Sequence, residues 1–235
     1  LTTRLSGPAP RLLVFDLDGT LIDSRLDLTH SVNATLRHFG KQELAEPTVA
    51  SYIGDGAAAL VRRALAHAHL VADEPDPHDD EFIAAAVEWF LAYYKIHKLD
   101  DTTVYPGVVD ALERIRAAHP KLPMAVLTNK PVMPSRDICS ALGLERFFFA
   151  NYGGNSFATK KPDPEGLLRL IAEASVTAAE TVMIGDSHVD VETARACGAR
   201  SLGCRYGLSP ELLERAGPDG MVEQASEWPQ ALGLD

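Results

Sequence analysis

Two aspartates separated by a single leucine, Asp16 and Asp18, follow directly on the apolar run LLVF at 12 to 15. Carboxylates this close resist ionising together unless a cation neutralises them. Hard oxygen ligands supplied by few protein groups suit Mg2+, which also bridges substrate phosphate. Asp16 could bind the metal through one oxygen and keep the other as a nucleophile, and attack on phosphorus would give an aspartyl-phosphate. Asp18 could protonate the leaving oxygen and afterwards take a proton from water, serving first as general acid and then as general base. Gly19 and Thr20 suit a sharp turn that keeps its amides near a phosphate.

Other polar groups stand at similar places. MAVL gives way to Thr128 and VMIG to Asp186, and SFATKKPDP delivers a lysine just before a helix that Pro164 would open. Phosphoryl transfer needs in-line positioning and neutralisation of charge on the equatorial oxygens, which Thr128, the amide of Asn129, Lys161 and Mg2+ could supply.

The elements that must bring these groups together are legible as well. RLLVF at 11 to 15, MAVLT at 124 to 128, RFFFA at 146 to 150 and TVMIG at 181 to 185 read as buried strands without alternation, as in a parallel sheet covered on both faces. Between them, apolar residues recur at helical spacing: Val108, Leu112 and Ile115; Ile138 and Leu142; Leu167, Leu168 and Ile171; Val191, Ala194 and Cys197. The expected core is a doubly wound, Rossmann-like α/β sheet over 11–22 and 101–235, with ligands in the crevice at the carboxyl ends of its strands. Residues 1–10 read as an N-terminal tail.

Residues 23–100 break the rhythm. Leu28, Val32, Leu36 and Phe39, then Ala57, Leu60 and Ala64, then Phe82, Ala86, Trp89, Phe90 and Tyr93 predict an all-helical insert. Within it, VADEPDPHDDE reads as a solvated acidic loop between helices.

A formal charge of -11 at pH 7 opposes nucleic acid and anionic membrane surfaces as partners. The opening LTTRLSGPAP carries no apolar stretch of signal length, and the most apolar later segment is interrupted by Glu88. Cys139, Cys197 and Cys204 sit in apolar or small-residue contexts that suit reduced thiols, so a cytoplasmic location is expected.

DLDGT followed by LIDS, then TNK, KKPDP and GDSHVD, in that order, resembles the four motifs of the haloacid dehalogenase superfamily. The resemblance implies that Asp16 is the nucleophile and that Asp18 is the acid/base, lending its backbone carbonyl to Mg2+. It makes Thr128 the phosphate binder of the second motif and Lys161 the lysine of the third, because Lys161 directly precedes the proline and Lys160 would face solvent. Asp186 becomes a metal ligand and Asp190 a support behind it. The helical insert matches the arrangement called a C1 cap, which closes over the site.

YIGDGAAALVRRAL, VYPGVVDALERI and YGGNSFATKKPDP further resemble the phosphoglycolate phosphatase branch of that superfamily. Gly54, Gly56 and Arg62 or Arg63 are then candidates for touching an acidic leaving group. The expected activity is Mg2+-dependent hydrolysis of a small phosphorylated metabolite, 2-phosphoglycolate first. Alternatives are a phosphomutase of the β-phosphoglucomutase type, or a phosphatase for another small ester, pyrophosphate or a nucleotide. Dehalogenation fits poorly because Asp18 is present, and a non-catalytic sensor fits poorly because the motif residues are all intact.

Remaining candidates read as structural. His67 and His69, two apart on a helix, share no face and are expected at the surface. His188 reads as incidental to the fourth motif, Gly153 and Gly154 as a turn, and Cys139 and Cys197 as packed thiols.

Overall fold

The computed structural model describes residues 4–72 and 80–235. In chain order the elements are β1 (Leu12–Phe15), β2 (Ile22–Asp23), α1 (Arg25–His38), α2 (Glu46–Ala50), α3 (Ala57–Ala72), α4 (Asp80–His97), β3 (Thr103–Val104) and α5 (Val108–Ala118). There follow β4 (Met124–Leu127), α6 (Val132–Ala141), β5 (Ala150–Tyr152), α7 (Glu165–Ala174), β6 (Thr181–Gly185) and α8 (His188–Cys197). The chain finishes with β7 (Arg200–Cys204), α9 (Pro210–Ala216), β8 (Gly220–Val222) and α10 (Trp228–Leu232). It divides into two compact units, one of residues 1–23 and 104–235 and the other of residues 24–103.

In the first unit β1 is apolar toward both faces and becomes a central strand. The sheet runs β5-β4-β1-β6-β7-β8 and every pairing in it is parallel. Counted along the chain this is the 3-2-1-4-5-6 order of a doubly wound sheet, whose ligand crevice lies where the order reverses, at the carboxyl end of the first strand. Leu13 and Phe15 pack on one face with Val108, Leu112, Ile115 and Trp228. Leu12 and Val14 pack on the other with Leu167, Leu170 and Ala194. Phe15 pairs in register with both Val126 and Ile184, so Asp16 leaves the sheet level with the ends of two neighbouring strands.

Three features depart from the sequence reading. RFFFA at 146 to 150 is not a strand: Glu145–Phe147 forms a 3-10 turn and β5 begins only at Ala150. Phe147 fills a corner beneath the guanidinium groups of Arg116 and Arg146, and Phe148 packs on Phe15 with ring centroids 5.8 Å apart. A short run of phenylalanines can close a corner or pave a strand, and periodicity does not separate the two. Second, β7 and β8 carried no strand signal, because Ser201, Gly203 and Gly220 dilute their apolar character; Asp219 accepts hydrogen bonds from the Ser201 amide and hydroxyl at 2.8 and 3.0 Å. Third, residues 4–10 are not a free tail. Leu5 is buried in the core, and its amide donates to Ala231 O at 2.8 Å.

The second unit is helical. Leu28, Val32, Leu36, Leu60, Ala64, Leu65, Ile83, Ala86 and Phe90 form its core, drawn from α1, α3 and α4. Asp27, buried at the start of α1, accepts from the amides of Asp101 and Thr102 at 2.9 and 2.8 Å and from the Thr102 hydroxyl at 2.6 Å. His69 is buried rather than exposed, and the half-buried His67 meets the Tyr52 hydroxyl at 2.7 Å, so α3 turns more of its surface inward than its histidines suggest. Residues 73–79 of the acidic segment lie outside the described residues. Among the described residues no helix is long and apolar enough to cross a membrane.

Candidate active site

Asp16 follows β1 and is nearly buried. Its amide continues the parallel ladder to Ile184 O at 2.9 Å, and its Oδ1 accepts from the Leu17 amide at 2.7 Å. The chain then folds into a tight loop in which Leu17 O accepts from the amides of Thr20, Leu21 and Ile22. Gly19 takes a left-handed φ of 85°, and the space a Cβ would need there is filled by the Asp186 carboxylate. Both facts require glycine.

Asp186 leaves β6 on the neighbouring side. Its Oδ1 accepts from the Thr20 hydroxyl at 3.2 Å and its Oδ2 from the Leu208 amide at 2.7 Å. Leu208 belongs to the loop after β7, which sequence reasoning missed along with that strand. In the same loop Gly207 allows the backbone to lie against Asp186 and Gly19 O, and the Tyr206 hydroxyl donates to Thr20 O at 2.8 Å.

Four residues further on, Asp190 closes the first turn of α8. Its Oδ2 accepts from the Ser187 amide and hydroxyl at 3.1 and 2.7 Å, a reciprocal cap on the helix start. Oδ1 receives Lys161 Nζ at 2.6 Å, and the same ammonium lies 3.0 Å from Asp16 Oδ1. Lys161 is thus the buried lysine of its pair and Lys160 the exposed one.

On the other side of β1, the chain leaves β4 at Thr128, whose amide donates to Tyr152 O at 3.0 Å. Asn129 Nδ2 donates to Lys161 O at 3.0 Å and so ties this loop to the lysine loop. Gly153 and Gly154 do more than turn the chain: side chains there would strike the backbone of residues 129 to 132. Lys130, to which the sequence reading gave no role, extends to Asp18. Its place in TNK was visible, but nothing in the spacing says which way its side chain runs.

Burial lifts the Asp16 carboxyl to about 6; the Lys161 ammonium opposes that rise and the Asp190 carboxylate adds to it. Asp186 is pushed well above the ordinary carboxylate range by burial and then by Asp16 and Asp190, against hydrogen bonds from Leu208 and Thr20. Lys161 stays protonated, because Asp16 and Asp190 outweigh the opposing effect of burial. Asp16, Asp186 and Asp190 each offer an oxygen within 4.8 Å of the others. Both oxygens of Asp190 are taken up by Lys161 and the start of α8, which leaves the buried carboxylates of Asp16 and Asp186 as the ones suited to a hard divalent cation.

His188, half-buried, opens α8 without entering the hydrogen-bond set just described. In the helical unit Arg62 reaches Asp80 at 3.2 Å and Arg63 pairs with Asp55, both guanidiniums largely exposed, while Gly54 and Gly56 adopt positive φ.

A family model described as haloacid dehalogenase-like hydrolase matches residues 13–204. Phosphoglycolate phosphatase from Pseudomonas putida KT2440 is 39% identical over 203 residues, covering 86% of this chain and 72% of that protein. Phosphoglycolate phosphatase from Colwellia psychrerythraea 34H is 34% identical over 217 residues, covering 92% and 94%. Among solved structures, a predicted phosphoglycolate phosphatase from Haemophilus somnus 129PT superposes with a TM-score of 0.88 at 27% identity, over 96% of this chain and 99% of that one.

Proposed function

Because the chain belongs to the haloacid dehalogenase-like hydrolase family, we propose that it is a Mg2+-dependent phosphatase for a small phosphate monoester, 2-phosphoglycolate first, acting through an aspartyl-phosphate on Asp16. The observation that carries this reading is the convergence of Asp16, Asp186 and Asp190 on one point, with Lys161 bridging Asp16 and Asp190. The substrate rests on the relatives named phosphoglycolate phosphatase that cover most of both chains.

In this mechanism a carboxylate oxygen of Asp16 attacks phosphorus as the bond to the leaving oxygen breaks, and Asp18 gives that oxygen its proton. Asp18 then takes a proton from water, whose oxygen attacks the aspartyl-phosphate and frees phosphate and the Asp16 carboxylate. Lys161 neutralises charge gathered on the phosphoryl oxygens, and the Thr128 hydroxyl and Asn129 amide hold those oxygens in line. Mg2+, held by the carboxylates of Asp16 and Asp186 and the carbonyl of Asp18, would supply the remaining positive charge when bound. Asp190 keeps Lys161 and the start of α8 in place. The helical unit of residues 24–103 would act as a C1 cap, with Arg62 a candidate for touching the leaving group.

The test is steady-state hydrolysis of 2-phosphoglycolate with Mg2+, set against a generic aryl phosphate and a panel of small phosphate esters. A kcat/KM for 2-phosphoglycolate no higher than for the aryl ester would overturn the substrate assignment. Isomerised product without free phosphate would overturn hydrolysis itself.

A further inference from the structure

Lys130 stands outside the chemistry assigned above, yet its ammonium is buried against a reacting group. Nζ lies 2.9 Å from both carboxylate oxygens of Asp18, and the lysine side chain is only 4% exposed. Lysine is almost never buried this deeply without a paired charge, and ordering its long side chain gives up rotamer freedom. Its backbone is fixed twice over. The Lys130 amide donates to Thr128 Oγ1 at 3.3 Å, and its carbonyl accepts from the Gly154 amide at 2.8 Å. The Gly153–Gly154 pair lets that loop seat directly against residues 129 to 132, since a Cβ on Gly153 would come within 2.5 Å of Lys130 O. The lysine is therefore aimed at Asp18 by a rigid loop.

Two buried lysines thus divide the carboxylates. Lys161 faces Asp16 and Asp190, and Lys130 faces Asp18. The oxygens that converge within 4.8 Å come from Asp16, Asp186 and Asp190, with the Asp18 carboxylate lying outside the group. In-line displacement puts the leaving oxygen on the side of phosphorus opposite Asp16, so an acid drawn into the Asp16 cluster could not reach it.

We propose that Lys130 is a positioning residue for proton transfer, holding the Asp18 carboxyl group away from the Asp16 cluster and toward the leaving oxygen. The inference rests on the phosphatase reading above. Lys130 itself takes no part in the transfer. The proton that reaches the leaving oxygen comes from Asp18 as the phosphorus–oxygen bond breaks.

The experiment is the leaving-group dependence of the first turnover. The phenol of 4-nitrophenyl phosphate departs without needing a proton, whereas the alkoxide of 2-phosphoglycolate requires one. Rapid-quench measurement of leaving-group release should show Lys130→Met slowed about 100-fold on 2-phosphoglycolate and less than about threefold on 4-nitrophenyl phosphate. Lys130→Arg should recover part of the loss on the alkyl ester. Equal losses on the two esters, or no loss on either, overturn the proposal. Lys130→Gln carries the same comparison if the methionine variant does not fold. Wild-type protein inactive on both esters would instead remove the phosphatase reading, so the two failures are distinguishable.

Discussion

Lys161 Nζ lies 3.0 Å from Oδ1 of Asp16, joining the loop before α7 to the first residue beyond β1. The same ammonium continues to Asp190 at 2.6 Å, so the proposed nucleophile is anchored through α8 as well as through its own strand.

Asp16→Asn keeps the volume and an oxygen for Lys161 but cannot form the acyl-phosphate. Turnover of 2-phosphoglycolate should fall at least about 1000-fold, with the circular dichroism spectrum unchanged. Retention of full kcat would remove the covalent route.

Asp16 and Asp186 both bind their protons more tightly in the folded chain than in the unfolded one, Asp16 with a value of about 6 against 3.8. Between those values the folded state holds more protons, so raising the pH through that window costs stability. In the presence of a chelator, the Tm of wild type relative to Asp16→Asn should therefore decline from about pH 4 to about pH 7. Mg2+ should raise the Tm more above the window than below it. A wild-type-minus-variant difference that stays flat with pH would contradict this account of the carboxylates.

Gly207→Ala would push a methyl group into Asp186 and the Gly19 carbonyl. Asp186 then loses the orientation that the Leu208 amide gives it, and the apparent affinity for Mg2+ should weaken about 10- to 100-fold. Titration of activity and calorimetric titration of binding with Mg2+ should report the same change. An unaltered Mg2+ affinity would mean that the loop after β7 plays no part in holding Asp186.

Trp228 is fully buried, with its ring 5.2 Å from that of Phe15. Trp228→Ala should cost about 3–5 kcal/mol in urea unfolding. A loss below about 1 kcal/mol would mean that the site collapses around the gap at little cost.

The grouping of the candidate site residues was more legible in the sequence than the full set of strands. Asp16, Thr128 and Asp186 each follow a continuous apolar strand, and a parallel sheet brings such ends together without further information. By contrast, β7 escaped notice because Ser201 and Gly203 interrupt its apolar run, and with it went the loop that holds Asp186 through Leu208. RFFFA misled for the opposite reason, since three phenylalanines look like a strand whether they line a sheet or fill a corner. Lys130 was in plain view beside Thr128 and Asn129, but a side chain's direction out of a loop depends on backbone angles that residue types do not specify. The Gly153–Gly154 contact that fixes those angles joins segments more than twenty residues apart.

The Trp228 ring also has a bearing on timing. Of the strands in the main sheet β1 is made first, yet the ring that braces Phe15, the residue before Asp16, is encoded more than two hundred positions later. At roughly 5 to 20 residues per second, some tens of seconds of translation separate the two. Within that interval β1 gains its two sheet neighbours, first β4 and then β6, while Phe15 still waits for the Trp228 ring. A ribosome-bound chain stopped before residue 228 should therefore carry every proposed catalytic residue and still lack the support beneath the nucleophile, so activity should arrive late and all at once.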